Sequence, residues 1–214
     1  MKNLNRIQAL IFDLDNTLVT SQLNFQLLRD ILNCPDRTDI LEFITIMESA
    51  ALVKQANDFI IAHEKLDAQT SSHLPGCESL LAFLAIHKYP TAIVTRNCLR
   101  AAQIKLKKNA INVDILLTRE DYPAKPNPEA LIAIAQLWGI DCRNIIYVGD
   151  HLYDVQAANN AGMHSCLITH FADLPYKDEA CFVFNELHEL EASLQQSLYL
   201  MDYIYPHNLK KWMQ

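Results

Sequence analysis

The stretch Ile11-Phe12-Asp13-Leu14-Asp15-Asn16-Thr17-Leu18 carries an apolar run straight into two aspartates separated by a single residue. Burying unpaired carboxylates is expensive. Asp13 and Asp15 therefore belong at the carboxyl end of a strand, where ligands bind in open α/β sheets. The arrangement recurs at Ile145-Ile146-Tyr147-Val148-Gly149-Asp150, with Asp154 a few residues on. Gly149 is expected to allow a tight turn that presents Asp150.

Working outward, short uninterrupted runs rich in Ile, Val and Leu occupy residues 7–12, 91–95, 113–117, 145–148, 165–168 and 181–184. Such runs suit strands buried on both faces of a parallel sheet. Between them, helix-like segments fall at residues 77–87, 99–108, 128–138 and 152–161. The alternation predicts an α/β fold, a Rossmann-like doubly wound parallel sheet. Residues 21–74 break the rhythm and read as helices at 23–32, 38–48 and 50–66, with Pro35 between the first two. Thr70-Ser71-Ser72-His73 and the turn pair Pro75-Gly76 close this block and return the chain to the core. The expected organisation is a core of residues 1–19 and 76–214 with a small all-helical insert at 20–75. His63, Glu64 and Lys65 fit a solvated face of that insert.

Composition narrows the function classes. The 214 residues are 50% hydrophobic and 20% charged, which excludes global disorder. With only four glycines, no two close enough for a dinucleotide fingerprint or a P-loop, any phosphate must be held another way. The net charge of −7 argues against non-specific nucleic-acid binding, which relies on Lys and Arg. No apolar run approaches the roughly 18–20 residues that span a bilayer. The polar start, followed by a run ending in Asp13 and Asp15, does not read as a signal peptide. The six cysteines form no CxxC or zinc pattern, so free thiols and a cytoplasmic location are the expectation. Tyr199, Tyr203, Tyr205 and Trp212 crowd the C-terminal end, as a strap on the domain or a contact in a homodimer.

In a parallel sheet the strand ends on one side converge, bringing Asp13, Asp15, Asp150 and Asp154 toward one another. Their repulsion calls for a cation. Oxygen donors favour a hard divalent ion, Mg²⁺ before Zn²⁺. Thr95 ends one apolar run, and its hydroxyl with the amides of Arg96 and Asn97 suits phosphate oxygens. Lys125, in Ala124-Lys125-Pro126-Asn127-Pro128, sits in a loop stiffened by prolines and can neutralise a phosphate or a nucleophilic carboxylate. His151, beside Asp150, reads as a surface residue.

Taken in order, these residues resemble the haloacid dehalogenase superfamily of phosphotransferases. Asp13-Leu14-Asp15-Asn16-Thr17 is similar to its DxDxT motif, Thr95 to its strand-ending Ser/Thr, Lys125-Pro126-Asn127-Pro128 to its KPxP lysine, and Gly149-Asp150 through Asp154 to its GDxxxD. The helical insert resembles the cap of the subgroup of phosphoglycolate phosphatases and β-phosphoglucomutases. The resemblance implies a phosphatase acting on a small phosphorylated metabolite, as monomer or homodimer. It implies Asp13 as the nucleophile that forms an aspartyl-phosphate, and Asp15 as general acid and then base. Mg²⁺ would be held by the Asp13 carboxylate, the Asp15 carbonyl and Asp150, with Asp154 orienting a metal-bound water. Thr95, Lys125, Arg96 and Asn97 would bind phosphate. Asn16 stands where the family often has Gly, and Asn tolerates left-handed backbone. Arg96 intervenes after Thr95, either to contact phosphate or to cap the helix. Dehalogenases of the family lack an acid at the position of Asp15, so its presence favours phosphoryl transfer. A phosphomutase and a non-catalytic regulatory member are the alternatives.

Overall fold

The computed structural model describes Leu4 and residues 6–204, with the side chains of 201–204 outside the description. Six parallel strands form one sheet: β1 (Ala9–Phe12), β2 (Thr91–Val94), β3 (Ile115–Leu117), β4 (Ile145–Gly149), β5 (His164–Ile168) and β6 (Phe182–Phe184), in the order β3-β2-β1-β4-β5-β6. Side chains alternate between faces along a strand. Leu10, Phe12, Ile93, Ile146 and Val148 enter one apolar cluster, which Leu80, Leu84, Leu187, Leu190 and Leu194 cover. Ala9, Ile11, Ala92, Val94, Ile145 and Tyr147 enter another, with Leu131, Ile134, Ala157 and Ala158. Both faces are buried, which is why the strands read as unbroken apolar runs.

The covering helices are α4 (Cys77–Ile86), α5 (Leu99–Lys108), α6 (Glu129–Trp138), α7 (Leu152–Asn160) and α8 (Leu187–Ile204), following α1 (Phe25–Leu32), α2 (Ile40–Thr45) and α3 (Ala50–Thr70). The expected strands are all present, four of them with shortened ends and β4 and β5 each one residue longer. Ile7 sits in a turn, its N–H bonded to Leu4 O, and Thr95 lies just beyond β2. The sequence reading missed α8, whose Leu187, Leu190 and Leu194 pack on the sheet beneath α4. At Gly76 (φ 81) an added Cβ would stand 2.6 Å from the His188 main-chain nitrogen, so the start of α4 can lie against α8 only without a side chain. Tyr199 lies on α8 with 69% of its surface exposed, while Tyr205 and Trp212 lie outside the described residues, as does the Tyr203 side chain.

Helices α1 to α3 bury their own cluster of Leu28, Cys34, Ile40, Ile44, Ala56 and Ile60. Asp39 caps α2 by accepting from the Leu41 and Glu42 N–H groups, which starts that helix later than residue 38. The two chain crossings into this block run side by side. Thr20 N–H donates to Ser72 O at 2.8 Å, Leu74 N–H donates to Leu18 O at 3.0 Å, and Val19 bridges His73. All six cysteines are free, and no described helix is long and apolar enough to cross a membrane.

Candidate active site

Strand register gathers the site. Phe12 lies opposite both Ile93 and Val148, so the residues that follow each strand share one edge of the sheet. Asp13 N–H donates to Val148 O at 2.8 Å and Thr95 N–H donates to Leu117 O at 3.0 Å, which continues the ladder just past the strand ends. Asn16 adopts the left-handed backbone expected of it (φ 53), with its N–H on Val19 O at 2.7 Å and its side-chain oxygen on Ser21 N–H at 3.1 Å.

Lys125 is the hub. Its buried ammonium lies 2.7 Å from Asp13 Oδ1 and 2.7 Å from Asp154 Oδ1, and it donates to the Tyr147 hydroxyl at 2.8 Å. Tyr147 in turn donates to Val94 O at 3.0 Å. Burial works against the ammonium, but Asp13 and Asp154 more than reverse this, and its pKa is raised. Asp154 Oδ2 accepts the His151 N–H at 3.0 Å, in a capping box that starts α7. His151 itself is exposed, and its ring accepts from Tyr153 N–H at 3.3 Å.

Carboxylate oxygens of Asp13, Asp150 and Asp154 lie within 4.8 Å of one another. Burial, only partly offset by Lys125, pushes Asp13 up to about 7. Burial, reinforced by Asp154 and Asp13, pushes Asp150 up to about 8. A single ammonium thus leaves the cluster short of positive charge, and an all-oxygen donor set of this kind fits a hard divalent cation. Asp154 has both oxygens engaged by protein donors, which leaves Asp13 and Asp150 as the freer pair.

Gly149 has a different part from the one expected. It ends β4 with no left-handed backbone, and an added Cβ would stand 2.3 Å from the Asp154 side chain. Its lack of a side chain is what lets Asp154 fold back beneath Lys125.

Asp15 is held through both oxygens. Asn97 Nδ2 donates to Oδ2 at 2.8 Å, and Lys105 Nζ contacts Oδ1. Lys105 also donates to Asp67 Oδ2 at 2.6 Å. The helix-start amides are more occupied than expected. Helix α5 begins at Leu99, and Asn97 N–H donates to Thr95 Oγ1 at 3.2 Å. The next amide, Cys98 N–H, goes to Glu64 at 3.0 Å. Arg96 does not cap the helix. Its guanidinium donates to Lys125 O and to Asp39, and lies 4.7 Å above the Tyr153 ring.

The sequence reading missed Lys105, Arg119 and the burial of Glu64. Glu64 is 4% exposed, not on a solvated face, and pairs with Arg119, which also donates to Arg96 O at 2.7 Å. In the pairs Asp39–Arg96, Glu64–Arg119 and Asp67–Lys105, the helical block supplies the acid and the sheet portion the base. Between the two parts lies a cavity of about 400 Å³, with Asp13, Asp15, Thr95, Arg96, Asn97, Lys125 and Asp150 on one wall. Leu23, Phe25, Leu28, Ile40 and Leu41 supply an apolar wall from the helical block.

The class of protein built on this parallel α/β sheet with aspartates at its strand ends comes from comparison with known proteins, and it is a hydrolase class. The haloacid dehalogenase-like hydrolase profile matches residues 10–168. The chain belongs to this family. A haloacid dehalogenase-like hydrolase domain-containing protein of Arabidopsis thaliana is 30% identical over 177 residues, covering 76% of this chain and 71% of the relative. The N-acetylmuramic acid 6-phosphate phosphatase of Pseudomonas aeruginosa is 23% identical over 185 residues, covering 76% of this chain and 82% of that protein. The crystal structure of a haloacid dehalogenase phosphatase from Thermococcus onnurineus shares the fold, with a TM-score of 0.66 at 23% identity over 88% of this chain and 98% of that one.

Proposed function

We propose that the protein is a Mg²⁺-dependent phosphatase that hydrolyses a small phosphomonoester through an aspartyl-phosphate on Asp13, with residues 20–75 as a cap over a core of residues 1–19 and 76–214. The observation that carries this reading is the Lys125 ammonium set 2.7 Å from Asp13 Oδ1 in a cavity that also exposes Asp15 and Asp150. A nucleophilic carboxylate needs a positive partner and a nearby acid for the leaving oxygen, and this site offers both.

In the first step an Asp13 oxygen attacks phosphorus, the ester P–O bond breaks, and the departing oxygen takes a proton from Asp15. In the second, a water oxygen attacks the same phosphorus while Asp15 takes its proton, and the bond from phosphorus to Asp13 breaks. Thr95 and Lys125 hold phosphoryl oxygens as charge redistributes, with Arg96 and Asn97 on the same wall. The Asp13 carboxylate, the Asp15 carbonyl and Asp150 would hold Mg²⁺, and Asp154 would order the surrounding donors. The ion supplies charge neutralisation to the phosphoryl group. The Pseudomonas aeruginosa relative, a phosphatase, points the same way.

With Mg²⁺, a panel of phosphomonoesters and 4-nitrophenyl phosphate is expected to release inorganic phosphate, and chelation is expected to stop it. A fully loaded protein that hydrolyses none of them overturns the proposal. Exchange between sugar-phosphate isomers in a coupled assay, without net phosphate release, identifies the phosphomutase instead.

The acidic cluster adds a physical readout. Asp13 and Asp150, pushed to about 7 and about 8 from an ordinary 3.8, keep protons in the folded state that the unfolded chain has released. Cation-free protein therefore loses stability as pH rises through this interval. Its Tm is expected to fall by on the order of 5 °C between about pH 5.5 and pH 8.5. Saturating Mg²⁺ takes the place of those protons and removes most of the fall. Melting curves unchanged by Mg²⁺ across this range count against a cation at these carboxylates.

A further inference from the structure

We infer that Lys105 is a positioning residue, one that ties the Asp15 carboxylate to the helical insert and so aims Asp15 at the leaving oxygen when the insert is seated. The inference rests on the reading of Asp15 as general acid and base. Lys105 lies on the inward face of α5, one turn after buried Ala101 and one turn before buried Asn109. Its side chain is fully buried, and its ammonium reaches two carboxylates on separate parts of the chain, Asp15 in the core and Asp67 on α3.

Asp67 is itself committed to the base of the insert. Its Oδ2 accepts the Ser21 hydroxyl at 2.9 Å, and its Oδ1 accepts the Gln22 N–H at 2.6 Å. The chain Asp15–Lys105–Asp67–Ser21/Gln22 therefore connects the acid–base residue with both ends of the inserted segment. Asn97 holds the other Asp15 oxygen from the core alone. One oxygen of Asp15 is thus fixed by the core and the other by a lysine shared with the insert.

A packing role alone does not call for a lysine here. Burying an ammonium is costly unless it is paired and hydrogen-bonded, and an apolar side chain of similar length would fill the space without that cost. Lysine offers several rotatable donors on one atom, which suits a bridge between two carboxylates on separate elements. General acid catalysis depends on the placement of the donor relative to the leaving atom, so a loosened Asp15 should be felt most where departure needs a proton.

The test uses that dependence. Lys105→Met in the full chain with Mg²⁺ is assayed on phenyl phosphate, whose phenolate is a poor leaving group, and on 4-nitrophenyl phosphate, whose leaving group departs without help. The ratio kcat/KM reports the steps through leaving-group departure. It is expected to fall about 100-fold for phenyl phosphate and no more than about 5-fold for 4-nitrophenyl phosphate. Should Lys105→Met not fold, Asp67→Asn keeps the ammonium beside Asp15 while weakening its tether. There the expected losses are about 10-fold and about 2-fold. Equal losses on both substrates overturn the inference and leave Lys105 a structural residue. If the wild-type protein hydrolyses neither substrate, the phosphatase reading fails instead.

Discussion

Asp13→Asn is expected to lower phosphate release by at least about 10⁴-fold while the protein stays folded. An amide oxygen is a poor nucleophile toward phosphorus, and the neighbouring carboxylates are held in other positions. Asp154 has its oxygens committed to Lys125 and His151 N–H, and Asp150 starts from the end of another strand. The fold should tolerate the change, because the amide oxygen can still accept from Lys125. Burial already raises Asp13 to about 7, so its charge is held at a cost that the neutral amide removes. Cation-free Tm near pH 8 is accordingly expected to be unchanged or higher. The direct check is intact mass after acid quench during turnover. Wild type should gain one phosphoryl group on the segment containing Asp13, and the variant should not. A variant that keeps more than about 1% of wild-type turnover removes Asp13 as the nucleophile.

The strands and the strand-end acids are legible in the sequence for one reason. Both faces of this sheet are covered, so Leu10 and Phe12 read the same as Ala9 and Ile11, and the apolar run ends abruptly where the strand ends and the site begins, at Asp13. The same discontinuity marks Asp150 and Thr95. Lys125 is legible through its prolines, because a rigid loop narrows where a lysine can reach. What these residues share is that local sequence sets their position relative to a strand.

The remaining features depend on packing between distant segments. Lys105 shares the last turn of α5 with Lys107 and Lys108, and in sequence this looks like a basic helix end facing water. Only the docking of α3 against α5 turns Lys105 inward to Asp15 and Asp67. Glu64 reads as solvated for the same reason, since its partner Arg119 lies 55 residues away. A signal was nonetheless present, because Ala101, Lys105 and Asn109 fall at four-residue spacing on one helix face. Gly149 shows the reverse error: a glycine after a strand suggests a turn, whereas the constraint is contact with the Asp154 side chain.

Lys125→Met should have the largest combined effect on stability and turnover. The lysine side chain is 3% exposed and is the shared partner of Asp13 and Asp154. Removing it leaves two buried carboxylates facing each other with Asp150 alongside. Breaking a buried ionic contact from one side costs about 3–5 kcal/mol, which for a chain of this size lowers Tm by on the order of 10 °C. The loss should grow with pH in cation-free protein, since low pH lets the carboxylates take up protons that replace the missing charge. Mg²⁺ should then restore part of the Tm, because any positive charge at the cluster relieves the repulsion. It should not restore turnover, which is expected to remain about 10³-fold down, because the ammonium would no longer be fixed beside the reacting oxygen of Asp13. Differential scanning fluorimetry and phosphate release, measured on the same samples with and without Mg²⁺, separate the two roles. Recovery of both together would make Lys125 a charge compensator, whereas recovery of stability alone places it among the groups that act on the phosphoryl oxygens.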